Sequence, residues 1–156
     1  MKKSFKLPRE FGEKWLNALR GGEYKQGKSN LVYILVPNIN LNELVVENVS
    51  FCCLGVAGHL CGNSLSDLLP FSYLEAESEF KAIPKELVGD NENALVDVLS
   101  SLNDGVTNTS LEDFKTKGYH FREDIGRPDN EGILSLNFAQ IADFIEDNIE
   151  FYDTLN

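Results

Sequence analysis

The chain is 156 residues long, 42% hydrophobic and 25% charged, with a formal net charge of −11. That length fits a single domain over residues 1–156, with a core large enough to fold without disulfide or metal. The apolar fraction excludes an intrinsically disordered chain. The longest apolar run, Leu31 to Val36, has strand length and cannot span a bilayer.

The N-terminus carries Lys2 and Lys3 but lacks the apolar stretch of a signal peptide, so a cytoplasmic location and no membrane partner are expected. The acidic excess repels phosphate, and direct nucleic-acid binding is not expected. Basic residues gather near the start, at Lys2, Lys3, Lys6, Arg9, Lys14 and Arg20, then Lys25 and Lys28. A solvated acidic surface accounts for the charge. An acidic face that docks on a basic partner is the sharper alternative. The three cysteines, Cys52, Cys53 and Cys61, are odd in number and close together. That usage argues for reduced, buried thiols, and adjacent cysteines rarely pair with each other.

Taken in chain order, the spacing predicts a helix over about 8–20. Pro8 suits its first turn, Phe11, Trp15, Ala18 and Leu19 share a face, and Gly21-Gly22 stops it. Tyr24 to Asn30 reads as turn-like. Leu31 to Val36 reads as a buried strand, broken by Pro37-Asn38-Ile39-Asn40. A second strand is expected from about Glu43 to Phe51, with Glu47-Asn48 as a bulge or a turn, and the two form an antiparallel hairpin over about 31–51. A glycine-rich helix is expected over about 52–62. Gly55 and Gly58 there mark close approach of a backbone or a ligand, and tight packing is the simpler reading.

Ser64 to Leu69 predicts a short helical turn ended by Pro70. The pattern from Phe71 to Ile83 is ambiguous, and Pro84 to Val88 reads as a turn. A helix is expected over about 91–102, capped by Asn91 and stopped by Asn103-Asp104-Gly105. Ser110-Leu-Glu-Asp113 reads as a weak capping box opening a helix that ends near Lys117-Gly118. Tyr119 to Gly132 is a long loop of the kind that often carries function. The last helix, about 138–152, is capped by Asn137 with Gln140. Phe138, Ile141, Ala142, Ile145, Ile149 and Tyr152 form its apolar stripe, and Asp143, Glu146, Asp147 and Glu150 its solvated face.

Four segments carry a resemblance. They are Trp15-Leu-Asn-Ala18-Leu19 continuing to Gly22-Glu-Tyr24-Lys-Gln26-Gly27, Phe51-Cys52-Cys53-Leu54-Gly55-Val56, Leu102-Asn103-Asp104, and Phe138-Ala-Gln-Ile141-Ala142-Asp143-Phe-Ile145-Glu146. In this order they resemble a family of small uncharacterised proteins of phages, prophages and bacterial genomes. The resemblance implies a shared fold and a mobile-element context, with no established chemistry. It singles out Trp15, Tyr24, Gln26, Cys52, Cys53, Asn103 and Asp104. Trp15 is expected in the core. Tyr24, Gln26, Asn103 and Asp104 are the candidate binding residues. The chain departs from the compact pattern in a longer strand region from about Lys28 to Ser50 and in an insertion from about Val106 to Ser135.

Cys53-Leu54-Gly55-Val56 also resembles the opening of the nucleophile helix in papain- and NlpC-like thiol hydrolases. There a helix N-terminus favours the thiolate. His59 lies on the same helix and points away, so His120 is the partner left, with Asp124 or Asp129 to orient it. The Asp that usually precedes such a nucleophile is replaced by Cys52. A zinc site from Cys52, Cys53, His59 and Cys61 would need the helix to break. No metal and no cofactor are expected, since no Walker loop, dinucleotide fingerprint or calcium loop is present.

The sequence therefore predicts an α+β fold, with an orthogonal helical domain bearing a hairpin arm as the alternative. The favoured function is non-enzymatic: an acidic cytoplasmic protein of phage or mobile-element type that docks on a host or phage protein, such as a defence or regulatory protein. The alternatives are a thiol hydrolase using Cys53, His120 and Asp124, and a small-ligand-binding protein. A homo-oligomer is compatible with each.

Overall fold

Apolar residues at helical spacing and short β-branched runs both became ordered elements, and the fold is α+β. The computed structural model describes residues 5–71, 80, 82–87, 95–125 and 127–154. The helices are α1 (Arg9–Gly21), α2 (Cys53–Leu60), α3 (Leu65–Leu68), α4 (Leu95–Asp104), α5 (Asn108–Thr116) and α6 (Phe138–Asn148). The strands are β1 (Phe5–Pro8), β2 (Lys25–Gln26), β3 (Val32–Ile34), β4 (Val49–Phe51), β5 (Val106–Thr107), β6 (Ile133–Leu134) and β7 (Ile149–Tyr152).

The expected β3–β4 hairpin is present, antiparallel, with Val32 opposite Phe51 and Ile34 opposite Val49. Both strands are shorter than expected: β3 covers Val32–Ile34 rather than 31–36, and Tyr33, Leu35 and Val36, expected to be buried, are exposed because nothing among the described residues covers that side. Residues Leu41–Glu43 and Val46–Asn48 are single 3-10 turns, so only Val49–Phe51 pairs. Glu47-Asn48 is thus a turn. The segment read as turn-like contributes β2, which pairs parallel to β4 and gives the order β2-β4-β3. Two further ladders accompany this sheet: β1 parallel to β7, and β5 antiparallel to β6.

The last helix ends at Asn148, four residues before the expected end at Tyr152. Ile149-Glu-Phe-Tyr152 is β-prone and finds a partner strand in Phe5–Pro8, so tertiary pairing overrides the helical stripe. The start of the helix is as expected. Asn137 and Gln140 form a reciprocal capping box. The α5 cap is Thr107, whose hydroxyl accepts from the Ser110 backbone, and Ser110 lies inside the helix. Ser64 caps α3. The proposed cap Asn91, part of the ambiguous 71–83 stretch and Val88 lie outside the described residues. The 91–102 helix is described from Leu95 and runs on to Asp104.

Helix α2 sits at the centre. Cys53 through Gly58 are all buried, and α1, α3, α4 and β4 pack around it. Helix α1 presents Gly12, Trp15, Leu16 and Leu19 inward, while Phe11 and Ala18 lie at the margin. It packs on α6 as well. Gly55 has a physical reason to be glycine. A Cβ there would stand 1.8 Å from the Leu31 carbonyl oxygen, a backbone atom that cannot swing away. The close approach foreseen at this helix is therefore made by the chain itself.

Gly55→Ala is expected to destabilise the protein by about 3 kcal/mol or more through overpacking. Gly21→Ala, which meets nothing within 4 Å, is expected to be neutral or mildly stabilising, by up to about 1 kcal/mol. Urea denaturation of both variants checks the contrast.

Candidate functional site

Three of the segments that carry the resemblance meet at one polar junction inside the protein. Asn103, at the end of α4, is wholly buried. Its Oδ1 accepts from Gln26 Nε2 at 3.1 Å and from the Cys53 backbone N–H at 3.2 Å. Its Nδ2 donates to the Gly27 carbonyl at 2.8 Å and to Asp104 Oδ1 at 3.1 Å. Asp104 Oδ1 also accepts from the Ser29 backbone, and Gln26 Nε2 donates to the Leu136 carbonyl. Gln26, Asn103 and Asp104, expected as binding residues, thus join β2, α2, α4 and the approach to α6. The Asn103 amide, Gln26 Nε2 and Asp104 Oδ1 are bonded to the chain's own backbone and to one another.

Tyr24 lies beside this junction. Its hydroxyl is hydrogen-bonded to His59 Nδ1 at 2.8 Å, with the donor set by the imidazole tautomer. The Tyr24 ring meets Phe51 edge-on. Burial lowers the His59 pKa below its usual 6.5 and raises that of Tyr24. Trp15 is in the core as expected, donating from Nε1 to the Cys53 carbonyl at 3.0 Å.

Cys53 does not stand in a cleft. It is fully buried, its Sγ donates to the Leu99 carbonyl at 3.6 Å, and burial holds its pKa well above the usual thiol value. The helix N-terminus was expected to favour the thiolate, but desolvation outweighs it. The terminal N–H groups are also already used: Asn103 takes that of Cys53, and Cys52 Sγ takes that of Gly55. Cys52 is pushed up to about 11 by burial. The half-buried Cys61 is also raised by burial, with Lys14 opposing.

His120 is held elsewhere. Its backbone N–H and carbonyl both bond to the Asn148 side chain at the end of α6. Cys53 is fully buried on α2, whereas His120 is exposed in the loop, and no hydrogen bond joins them among the described residues. Asp124 is exposed on the loop, and Asp129 spends Oδ1 on the Glu131 and Ile133 backbones, shaping the turn into β6. Among the described residues, no group of three His, Cys, Asp or Glu side chains is placed to hold a metal ion.

The loop Tyr119 to Gly132 is fastened at its first half. Tyr119 packs against Phe5, Phe114 and Phe144, and Phe121 against Phe144. Arg122 binds Asp147 from Nε at 2.8 Å and reaches Asp143 and Glu146. Arg20 of α1 binds the same Asp143 and Glu146. The α6 carboxylates, read as a solvated face, are thus an ion-pair network joining α1, α6 and the loop. Sequence spacing gives no sign of it, because its partners lie far along the chain. Beneath the loop, Phe121, Ile125, Leu136 and Phe144 border a cavity of about 30 Å³, room for one water. A more open hollow of about 410 Å³ lies between α1 and α2, lined by Phe11, Lys14, Leu60, Cys61 and Pro84.

The remaining surface feature is the arm between β3 and β4. Tyr33, Leu35, Val36, Leu41 and Val45 are large apolar side chains 43–56% exposed, and Phe71 is 42% exposed. Leu44 and Val46 are partly buried and pack on the core. Local bonds shape the arm: Glu43 N–H to the Asn40 carbonyl at 2.8 Å, Asn48 N–H to that of Val45 at 3.0 Å, and Leu35 N–H to that of Asn48 at 2.9 Å.

Asn103→Ala leaves the buried Cys53 N–H and the half-buried Gly27 carbonyl without their side-chain partner, so a loss of about 3 kcal/mol is expected in urea denaturation. In alkylation of the native protein, Cys61 is expected to react first, and Cys53 only as fast as the chain unfolds, with His120→Ala making no difference. The His59 value, lowered in the fold, gives stability that is full above about pH 6.5 and declines as pH falls through that unfolded value. His59→Gln is expected to flatten that part of the stability–pH curve.

Comparison with protein-family models, with curated proteins and with solved structures found no match to this chain.

Proposed function

We propose that the protein is a non-enzymatic binding protein that docks on another protein through the β3–β4 arm. The observation that carries this reading is the run of exposed apolar side chains from Tyr33 to Val45. Single exposed hydrophobics are ordinary, but a concentration of them on one chain excursion marks an interaction surface. The arm's internal hydrogen bonds and its Leu44 and Val46 anchors hold it in shape before binding. A preformed surface loses less entropy on association than a loose one. The mobile-element setting, with a host or phage protein as the partner, comes from the segment resemblance alone. A reducing, cytoplasmic compartment fits three free thiols, and no helix among the described residues is long and apolar enough to cross a membrane.

The test uses a photo-crosslinking amino acid at Leu41, and at Glu112 on α5 as a control, in cells that make the protein. A partner captured from position 41 is purified and its affinity measured directly. Leu41→Ser with Val45→Ser is expected to weaken binding about tenfold or more while leaving the urea midpoint nearly unchanged. Capture from position 112 alone, or wild-type affinity in the double variant, would overturn the docking role of the arm.

A further inference from the structure

The arm is apolar, and it also lies in the part of the chain that has no positive side chain. Residues 29–80 contain no Lys or Arg, and they carry Glu43, Glu47, Asp67, Glu75, Glu77 and Glu79. Two of these carboxylates, Glu43 and Glu47, stand exposed on the arm on either side of Val45. Neither enters an ion pair among the described residues, whereas Asp143, Glu146 and Asp147 on α6 are bound by Arg20 and Arg122. Lys25 reaches the base of the arm, but its ammonium donates to the Glu47 backbone carbonyl at 3.0 Å.

We infer that the occupant of the arm is a protein surface with an apolar centre bordered by Lys or Arg side chains. The inference rests on the docking role proposed above and adds the partner's chemistry. The apolar chains supply contact area, and Glu43 and Glu47 supply charges that the chain itself leaves unpaired. Such a border raises the rate of encounter and rejects acidic competitors. A second copy of this chain brings the same cation-free stretch and a net charge of −11 to the contact, so like charges oppose that pairing. Nucleic acid and anionic lipid surfaces are disfavoured by the same sign.

The experiment is an amide-resonance titration of the isotope-labelled full chain. Two synthetic amphipathic helical peptides serve as probes. They share one leucine face, and the opposite face carries Lys and Arg in one and Glu and Asp in the other. The basic peptide is expected to shift the resonances of residues 33–45 and Phe71, and to bind about tenfold or more tightly than the acidic one. Glu43→Gln with Glu47→Gln is expected to reduce that preference to about threefold or less and to weaken its salt dependence. Equal affinity of the two peptides at the arm would overturn the charge inference while leaving the docking role standing. Concentration-dependent broadening of the arm resonances without peptide, with sedimentation of a dimer, would overturn it in favour of a second copy. Shifts confined to other surfaces, or none with either peptide, would remove both the inference and the docking role beneath it.

Discussion

The buried side-chain amide of Asn103 is the contact on which the arrangement depends. A primary amide taken out of water needs its oxygen and both hydrogens engaged, or the fold bears the desolvation cost of whatever is left. Asn103 accepts twice and donates twice, and its partners come from β2, α2 and the adjoining end of α4. These elements are brought together from positions 26–27, 53 and 103–104 of the chain. Apolar packing alone is indifferent to small sliding of one element on another. The amide is not, since a shift of about 1 Å breaks several bonds at once. It fixes how the centre of the molecule is set.

That setting explains the character of the central helix. With Asn103 and Cys52 taking the N–H groups of Cys53 and Gly55, the first turn of α2 has its donors used within the protein. Gly55 lets that turn lie directly against the Leu31 backbone. The neighbouring thiols are consequently in a dry, neutral site, where the charged form is disfavoured. The outside of the molecule is tied by different physics. Arg20 and Arg122 share the carboxylates of α6 in water-exposed pairs, which are individually weak and screened by salt. The first half of the loop is therefore held more by the Phe121 and Tyr119 ring contacts and by Asn148 than by charge.

Sequence reading located what is local. The Asn137 cap, the start of the α6 apolar stripe and the α1 helix stopped by glycine follow from residues within a few positions of each other, and all are present. What it missed is long-range. A two-residue strand such as β2 has no periodicity to read and exists only because β4 lies beside it. Ile149 to Tyr152 continues the helical stripe of α6, and only the presence of β1 turns it into a strand. The candidate residues show the same limit. Gln26, Asn103 and Asp104, expected as binding residues, are hydrogen-bonded to one another and to nearby backbone. Whether a polar residue faces a ligand or the chain's own backbone is decided by tertiary placement, which spacing does not contain.

This separation bears on where function is sought. The Asn103 amide, Gln26 Nε2 and Asp104 Oδ1 fasten the chain to itself. Under the proposed docking role, the partner is met by groups that the fold leaves exposed. On the arm those include Leu41 and Val45, which are exposed while Leu44 and Val46 pack on the core, and Glu43 and Glu47, which enter no ion pair among the described residues. Alternation of that kind costs the free protein exposed apolar area that a polar substitution would relieve without touching the core. Under the proposed docking role a second surface would cover the arm, and the negative charge along it favours a basic border on that surface.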